Sequence, residues 1–323
     1  MFVLSRLCRT SVIIAIKLLK AKSKLKNTHY FCPVDLRGVK RVSRLIFAFC
    51  AFFFAGCLDM EMVEVHESDE PTQVSVEVLS ELISTFDILD DFASTNKVLN
   101  KRDDALLPNG VNVKCIDEDF EDGDGVEVEL DFGKLGNEPF GVLCKDEKYR
   151  AGRINIKLDK PYSEVGAQMR VTFPQHYTFF SGNGGTMTEF DGKIIVNRTE
   201  EDKLVLTSND LNAHYNGVVS NLESDILVVR ESDLGEGILD DVILFGGTVS
   251  VTNGGVSTIL STQSPLKKIY TRSCAKHIIR GKMDVEITNS SSEMYIDFDP
   301  YKDEACDNVI EITVNGKSVI TSY

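Results

Sequence analysis

The chain has 323 residues, 42% of them hydrophobic and 26% charged, enough for one large core or two smaller ones and too apolar for a disordered polymer. Its net charge of −15 hides an asymmetry: residues 1–56 carry 11 Lys plus Arg and one acid, leaving 24 bases against 49 acids, net −25, in the rest. Such a surface repels a phosphate backbone, which excludes nucleic acid as a partner and leaves divalent cations or basic surfaces as compatible ones.

Residues 1–38 scatter basic residues among apolar ones, with Asp35 as the sole acid. The economical expectation is that this stretch lies upstream of the natural start, at Val39. A basic cytoplasmic extension is the alternative. Residues 39–56 then read as a signal peptide: Lys40, Arg41 and Arg44 precede a twelve-residue apolar run, Leu45–Gly56. That run is shorter than the roughly 20 residues a membrane-spanning helix needs, and the order of charge, apolar stretch and small residues is that of an export signal. An uncleaved anchor and a buried helix are the competing readings.

The closing FAGC, residues 54–57, resembles the lipobox of bacterial lipoproteins, with Phe54 where that group usually has an aliphatic residue. The resemblance implies cleavage before Cys57 and acylation of its thiol and amine. Several acyl chains, at about 0.8 kcal/mol per buried methylene, hold a protein firmly to a membrane. Leu58, where an inner-membrane retention signal would have Asp, implies outer-membrane residence. Asp59, Glu61 and Glu64 loosely resemble a surface-display signal, so the periplasmic and surface-facing sides both stay open.

Residues 57–73 are acidic, lack a sustained period and are expected to form a tether. The segment 74–110 is expected to be helical and then a linker, because Val78, Leu79, Leu82, Ile83, Phe86, Ile88, Leu89 and Phe92 approach helical spacing. That apolar face suits core packing, or else a partner.

From residue 111 to 323 the period is two. VEVELDF (126–132), GRINIKL (152–158), QMRVTF (168–173), KIIVNR (193–198), KLVLTS (203–208), DILVVR (225–230), TVSVTN (248–253), KMDVEIT (282–288), EMYIDFD (293–299) and VIEITV (309–314) read as strands. Turn signals at Asn183-Gly184-Gly185, Asn253-Gly254-Gly255 and Asn315-Gly316 separate some of them. Helical crossovers are missing from the pattern, so the expected fold is all-β: a large antiparallel meander, as a sandwich or an incomplete barrel, preceded by one N-terminal helix. Gly152, Gly192, Gly247 and Gly281 each precede an alternating run, which suggests glycine at the start of a hairpin.

After Cys57 only Cys115, Cys144, Cys274 and Cys306 remain. In an oxidising compartment they form two sequence-local pairs, and Cys115–Cys144 with Cys274–Cys306 is the expected connectivity. A zinc site prompted by Cys274-Ala-Lys-His277 is the weaker reading, for want of a second tight pair. The stretch DEDFEDGDG crowds Asp117, Asp119, Glu121, Asp122 and Asp124 round glycine turns, the hard oxygen donors calcium takes. The EF-hand register fails there, and a solvated acidic hairpin is the plain reading. Asp297, Asp299, Asp303 and Glu304 form a second acidic group.

VELDFG (128–133), YRAGRINIKL (149–158), GAQMRVTF (166–173) and YIDFDPYKDEACDNVIEITVNGK (295–317) resemble a group of uncharacterised Bacteroidota envelope lipoproteins with a late Cys-Asp-Asn strand. This chain has DEKYRAG where that group often carries an earlier turn glycine. The resemblance implies a β-rich envelope lipoprotein and no reaction. With four His after residue 57 and no nucleophile elbow, zinc-protease or phosphate-loop motif, no enzyme is expected. The expected function is membrane-anchored binding or structure, with a protein or glycan ligand; calcium-dependent or glycan binding, and then a carboxylate-based hydrolase, are the alternatives.

Overall fold

The computed structural model describes residues 69–94, 106–108, 110–117, 119–174, 176, 178–232, 241–271 and 273–323. The stretch 1–38, the signal 39–56 and the lipidation residue Cys57 lie outside them.

Helix α1 spans Asp69–Ser94, starting inside the stretch expected as tether. Two acids and Pro71 in its first turn suit a helix N-terminus, where the dipole favours negative charge and proline's missing N–H does no harm. Sixteen strands follow: β1 Asn112–Asp117, β2 Val126–Asp131, β3 Val142–Leu143, β4 Tyr149–Ala151, β5 Arg153–Leu158, β6 Gln168–Phe173, β7 Phe179–Gly182 and β8 Met187–Glu200, then β9 Lys203–Tyr215, β10 Val218–Ser232, β11 Val242–Asn253, β12 Val256–Ile269, β13 Arg280–Ile287, β14 Met294–Asp297, β15 Val309–Val314 and β16 Lys317–Ser322.

All pairings are antiparallel and make one open sheet in the order β1-β2-β5-β6-β8-β9-β10-β11-β12-β13-β14-β15-β16, with β3, β4 and β7 as a branch joined to β8. Among the described residues the all-β expectation with one leading helix therefore holds, as a single sheet and not as two packed ones. The sheet does not close, because β1 and β16 do not pair. Hairpins tighten where the sequence allows left-handed backbone: Asn315 (φ 49°) and Gly316 (φ 77°) form the two-residue link between β15 and β16.

The glycine pattern has a different cause from the one expected. Gly192 and Gly247 lie inside β8 and β11, at φ 117° and 137°. A Cβ at either would meet a neighbouring strand's carbonyl, Asp210 O or Asp225 O, at 2.0 Å. At Gly247 the β11–β12 register shifts, and its amide donates to Thr262 Oγ1 at 2.7 Å. These glycines let long strands bend and bring backbones close.

The bend serves the helix. Every apolar residue expected on its core face is buried, and so are Glu81, Ser84, Asp87, Asp90 and Asp91. Burial on all sides means that the sheet curves round α1. Phe86 meets Phe245 of β11 edge-on at 6.0 Å between centroids. Elsewhere in the core Phe173 stacks on Phe179 and Phe190 at 5.5 and 5.8 Å. Aromatic pairs of this kind add about 0.5–1.5 kcal/mol each beyond their burial.

Candidate functional site

The acids of α1 are held by cations and hydroxyls of the sheet. Lys148 Nζ donates to Glu81 Oε1 at 2.5 Å and Ser181 Oγ to Glu81 Oε2 at 2.6 Å. Farther along, Lys268 Nζ donates to Asp87 Oδ2 at 2.6 Å, and the Tyr270 hydroxyl donates to Asp87 Oδ1. Tyr162 Oη and Arg230 Nη2 donate to Asp90 at 2.9 and 2.7 Å, and Arg230 also reaches Asp241 at 3.1 Å. Between these groups Arg150 grips Asp146 with Nη1 and Nη2 at 2.8 and 2.7 Å and reaches Ser84 Oγ at 2.8 Å.

This network is buried and electrically lopsided. Burial pushes Asp87 up to about 6 against the pull of Lys268. Burial also works to raise Asp146, but the Arg150 guanidinium overcomes it and holds that carboxyl below its ordinary range. Both tyrosines, Tyr162 and Tyr270, are driven well above their ordinary value by burial and by the carboxylates they bond. The gaps bordering the helix measure about 10 Å³ near Leu79 and Ile83 and about 20 Å³ near Asp90 and Arg230. Each has room for about one water. Chemically the network fastens the helix, and the two gaps described beside it are water-sized.

Of the residues expected to bind calcium, the structure brings together Asp117, Asp122 and Asp124, with one carboxylate oxygen of each within 4.8 Å of the others. Asp119 and Glu121 lie outside that group; Asp119 Oδ1 instead accepts the Glu121 amide at 3.0 Å, and Asp122 Oδ1 the Asp124 amide at 3.1 Å. The hydrogen bond to Asp122 and then its negative charge raise Asp124 above its ordinary value.

Cysteine pairing is half as expected. Cys274 and Cys306 form a disulfide with Cα atoms 4.8 Å apart, which removes the thiolate a zinc site would need. Burial, followed by Lys276, lowers His277 to about 4. Cys115 and Cys144 are not joined. Cys115 sits on β1 at one end of the strand order, while Cys144 follows β3 on the branch that reaches the sheet through β7 and β8. Their nearness in sequence does not carry over to the sheet.

On the outer face the sheet opens a cleft that sequence reasoning missed. The β12–β13 register shifts twice around Pro265, and the opening of about 540 Å³ is lined by Leu244, Ser264, Pro265, Arg280, Gly281, Lys282, Asp297, Asp299, Lys302 and Glu304. Lys282 pairs with Asp297, Arg280 with Glu304 and Lys267 with Glu304, each at 2.7 Å. The turn from Asp297 to Cys306 is rigid: Asp299 Oδ1 accepts the amides of Asp303 and Glu304 at 3.0 and 3.3 Å, and the disulfide closes its end. Lys302 and Glu304 take left-handed φ of 58° and 48°. The second acidic group of the sequence therefore builds a turn beside cations that lie far from it in the chain.

Comparison with family models, curated proteins and solved structures found no match for the chain.

Proposed function

We propose that this chain is an envelope lipoprotein, held to an outer membrane by acyl chains on Cys57, whose β domain binds or displays a ligand without catalysing a reaction. The observation that carries the binding part is the filling of the inner sheet face: α1 occupies it, its acids are engaged by the sheet, and the gaps beside it are water-sized. Recognition is thereby left to the outer face and to the sheet edges, where a protein or glycan ligand would meet exposed side chains. The lipobox-like FAGC, whose Cys57 is separated from the first helical residue, Asp69, by eleven residues, supports the anchor, as does the likeness of the strand motifs to Bacteroidota lipoproteins.

The anchor is tested in cells by Cys57→Ser. A fatty-acid probe should label the parent chain and not the variant, which should accumulate as a larger precursor; unchanged labelling refutes the anchor. Protease added to intact cells, and again after the outer membrane is opened, reads which side the domain faces. A second reading, calcium at the turn between β1 and β2, is favoured by the convergence of Asp117, Asp122 and Asp124.

A further inference from the structure

We propose that the outer cleft between β12, β13 and the turn after β14 binds a short acidic saccharide, one carrying uronate carboxylates and free hydroxyls. The inference rests on the reading of the domain as a binding module and is independent of the anchor.

Charge comes first. The lining balances three cations, Arg280, Lys282 and Lys302, against three carboxylates, Asp297, Asp299 and Glu304, a locally neutral spot on a chain whose residues after 56 are net −25. Arg280 and Lys282 are each committed to one carboxylate, whereas Lys302 makes no ion pair among the described residues. It is exposed and pinned in a left-handed conformation that a lysine adopts only when its surroundings hold it there. An anionic group is the partner that such a lysine lacks, and a guanidinium beside it supplies directed donors for a carboxylate.

Hydroxyls come second. Asp299 spends one oxygen on two backbone amides, and its Oδ2 takes no hydrogen bond among the described residues. It is an acceptor facing a cleft, suited to a ligand O–H. A ring face comes third: Tyr301 is not in the lining but precedes Lys302 on the same turn and is 61% exposed, a flat amphipathic surface for a pyranose ring that extends beyond the cleft. The size fits as well, since about 540 Å³ lies within the ordinary range of small-ligand sites. The turn that presents Tyr301, Lys302 and Glu304 is preorganised by Asp299 and the disulfide, so little ordering opposes binding.

The test is calorimetric titration of the full chain in detergent with trigalacturonate and, as a neutral counterpart, maltotriose. Trigalacturonate should bind, more weakly as salt is added, and maltotriose should give no heat. Lys302→Asn, whose side chain tolerates the left-handed turn, and Tyr301→Ser should each weaken binding about tenfold, the scale of one charge-assisted hydrogen bond or one lost ring contact, with unchanged thermal midpoints. Equal binding of both sugars, or no binding of trigalacturonate, overturns the proposal. So does trigalacturonate binding that neither variant weakens, but that result keeps the domain as a binding module and moves its site elsewhere.

Discussion

Asp146→Asn removes a charge from the centre of the helix–sheet network and almost nothing else. Arg150 is fully buried, and two of its nitrogens are satisfied by Asp146 at 2.8 and 2.7 Å. Its Nε has no partner among the described residues, and Ser84 shares only Nη2. An asparagine can accept through one oxygen and turns an N–H toward the guanidinium, so a full positive charge would be left in the core without its carboxylate. Breaking a buried pair from one side costs about 3–5 kcal/mol. In urea titrations the midpoint should fall with little change in slope, and in heat the midpoint should drop by roughly 10 °C at the 2–4 °C per kcal/mol of large domains. Glu147→Gln is the internal control: its pair with Lys276 has side chains 54% and 34% exposed, so its loss should cost less than about 1 kcal/mol. Replacing both partners, Asp146→Leu with Arg150→Met, should restore much of the loss. Equal destabilisation by D146N and E147Q would refute the reasoning.

Acid should act on two buried groups with opposite sign. Asp87 binds its proton at about 6 when folded and near its ordinary 3.8 when unfolded, so the folded state holds the extra proton between those values and this group adds stability as pH falls through them. His277, lowered to about 4 from 6.5, does the reverse: the unfolded chain holds the extra proton in that window, and stability is lost as pH falls. Chemical denaturation from pH 7 to 4 should therefore show a steeper acid loss in Asp87→Asn and a shallower one in His277→Gln than in the parent; identical slopes would refute both assignments. For the acidic turn, calcium at about ten times a millimolar dissociation constant should stabilise by roughly 1.4 kcal/mol against chelator. Asp122→Asn should raise the midpoint without calcium, by relieving Asp124, and abolish the calcium response; a response retained by that variant would refute the site.

What was legible in the sequence followed from period and turn chemistry. QMRVTF and VIEITV coincide with β6 and β15, and the alternating runs around residues 193, 203, 225 and 248 are pieces of much longer strands. Those lengths were hidden because glycines and register shifts interrupt the alternation where the strands bend. β12 was missed because Gln263-Ser264-Pro265 breaks the pattern, although the proline sits at an irregular place in the ladder, where its absent N–H is tolerated. The helix was visible from its apolar positions. The role of its acids was not visible, since nothing local announces that Lys148, Lys268 and Arg230 will meet them. The outer cleft was unreadable for the same reason, as it joins residues of β11, β12, β13 and a later turn.

The helix also decides how the sheet comes apart. A meander in which each long strand touches chiefly its chain neighbours resembles a repeat array, able to fray strand by strand from either edge. Here α1 is tied to strands distant in the chain: Glu81 to Ser181 across 100 residues, Asp90 to Arg230 across 140, Asp87 to Lys268 across 181 and Gln73 to Thr321 across 248. Peeling away β7, β10 or β12 leaves a buried carboxylate of the helix short of a partner, whereas the Gln73–Thr321 bond is exposed and its loss is made good by water. The long-range ties turn a zipper into a latch, since each closes a large loop whose entropy is lost before its contact is gained.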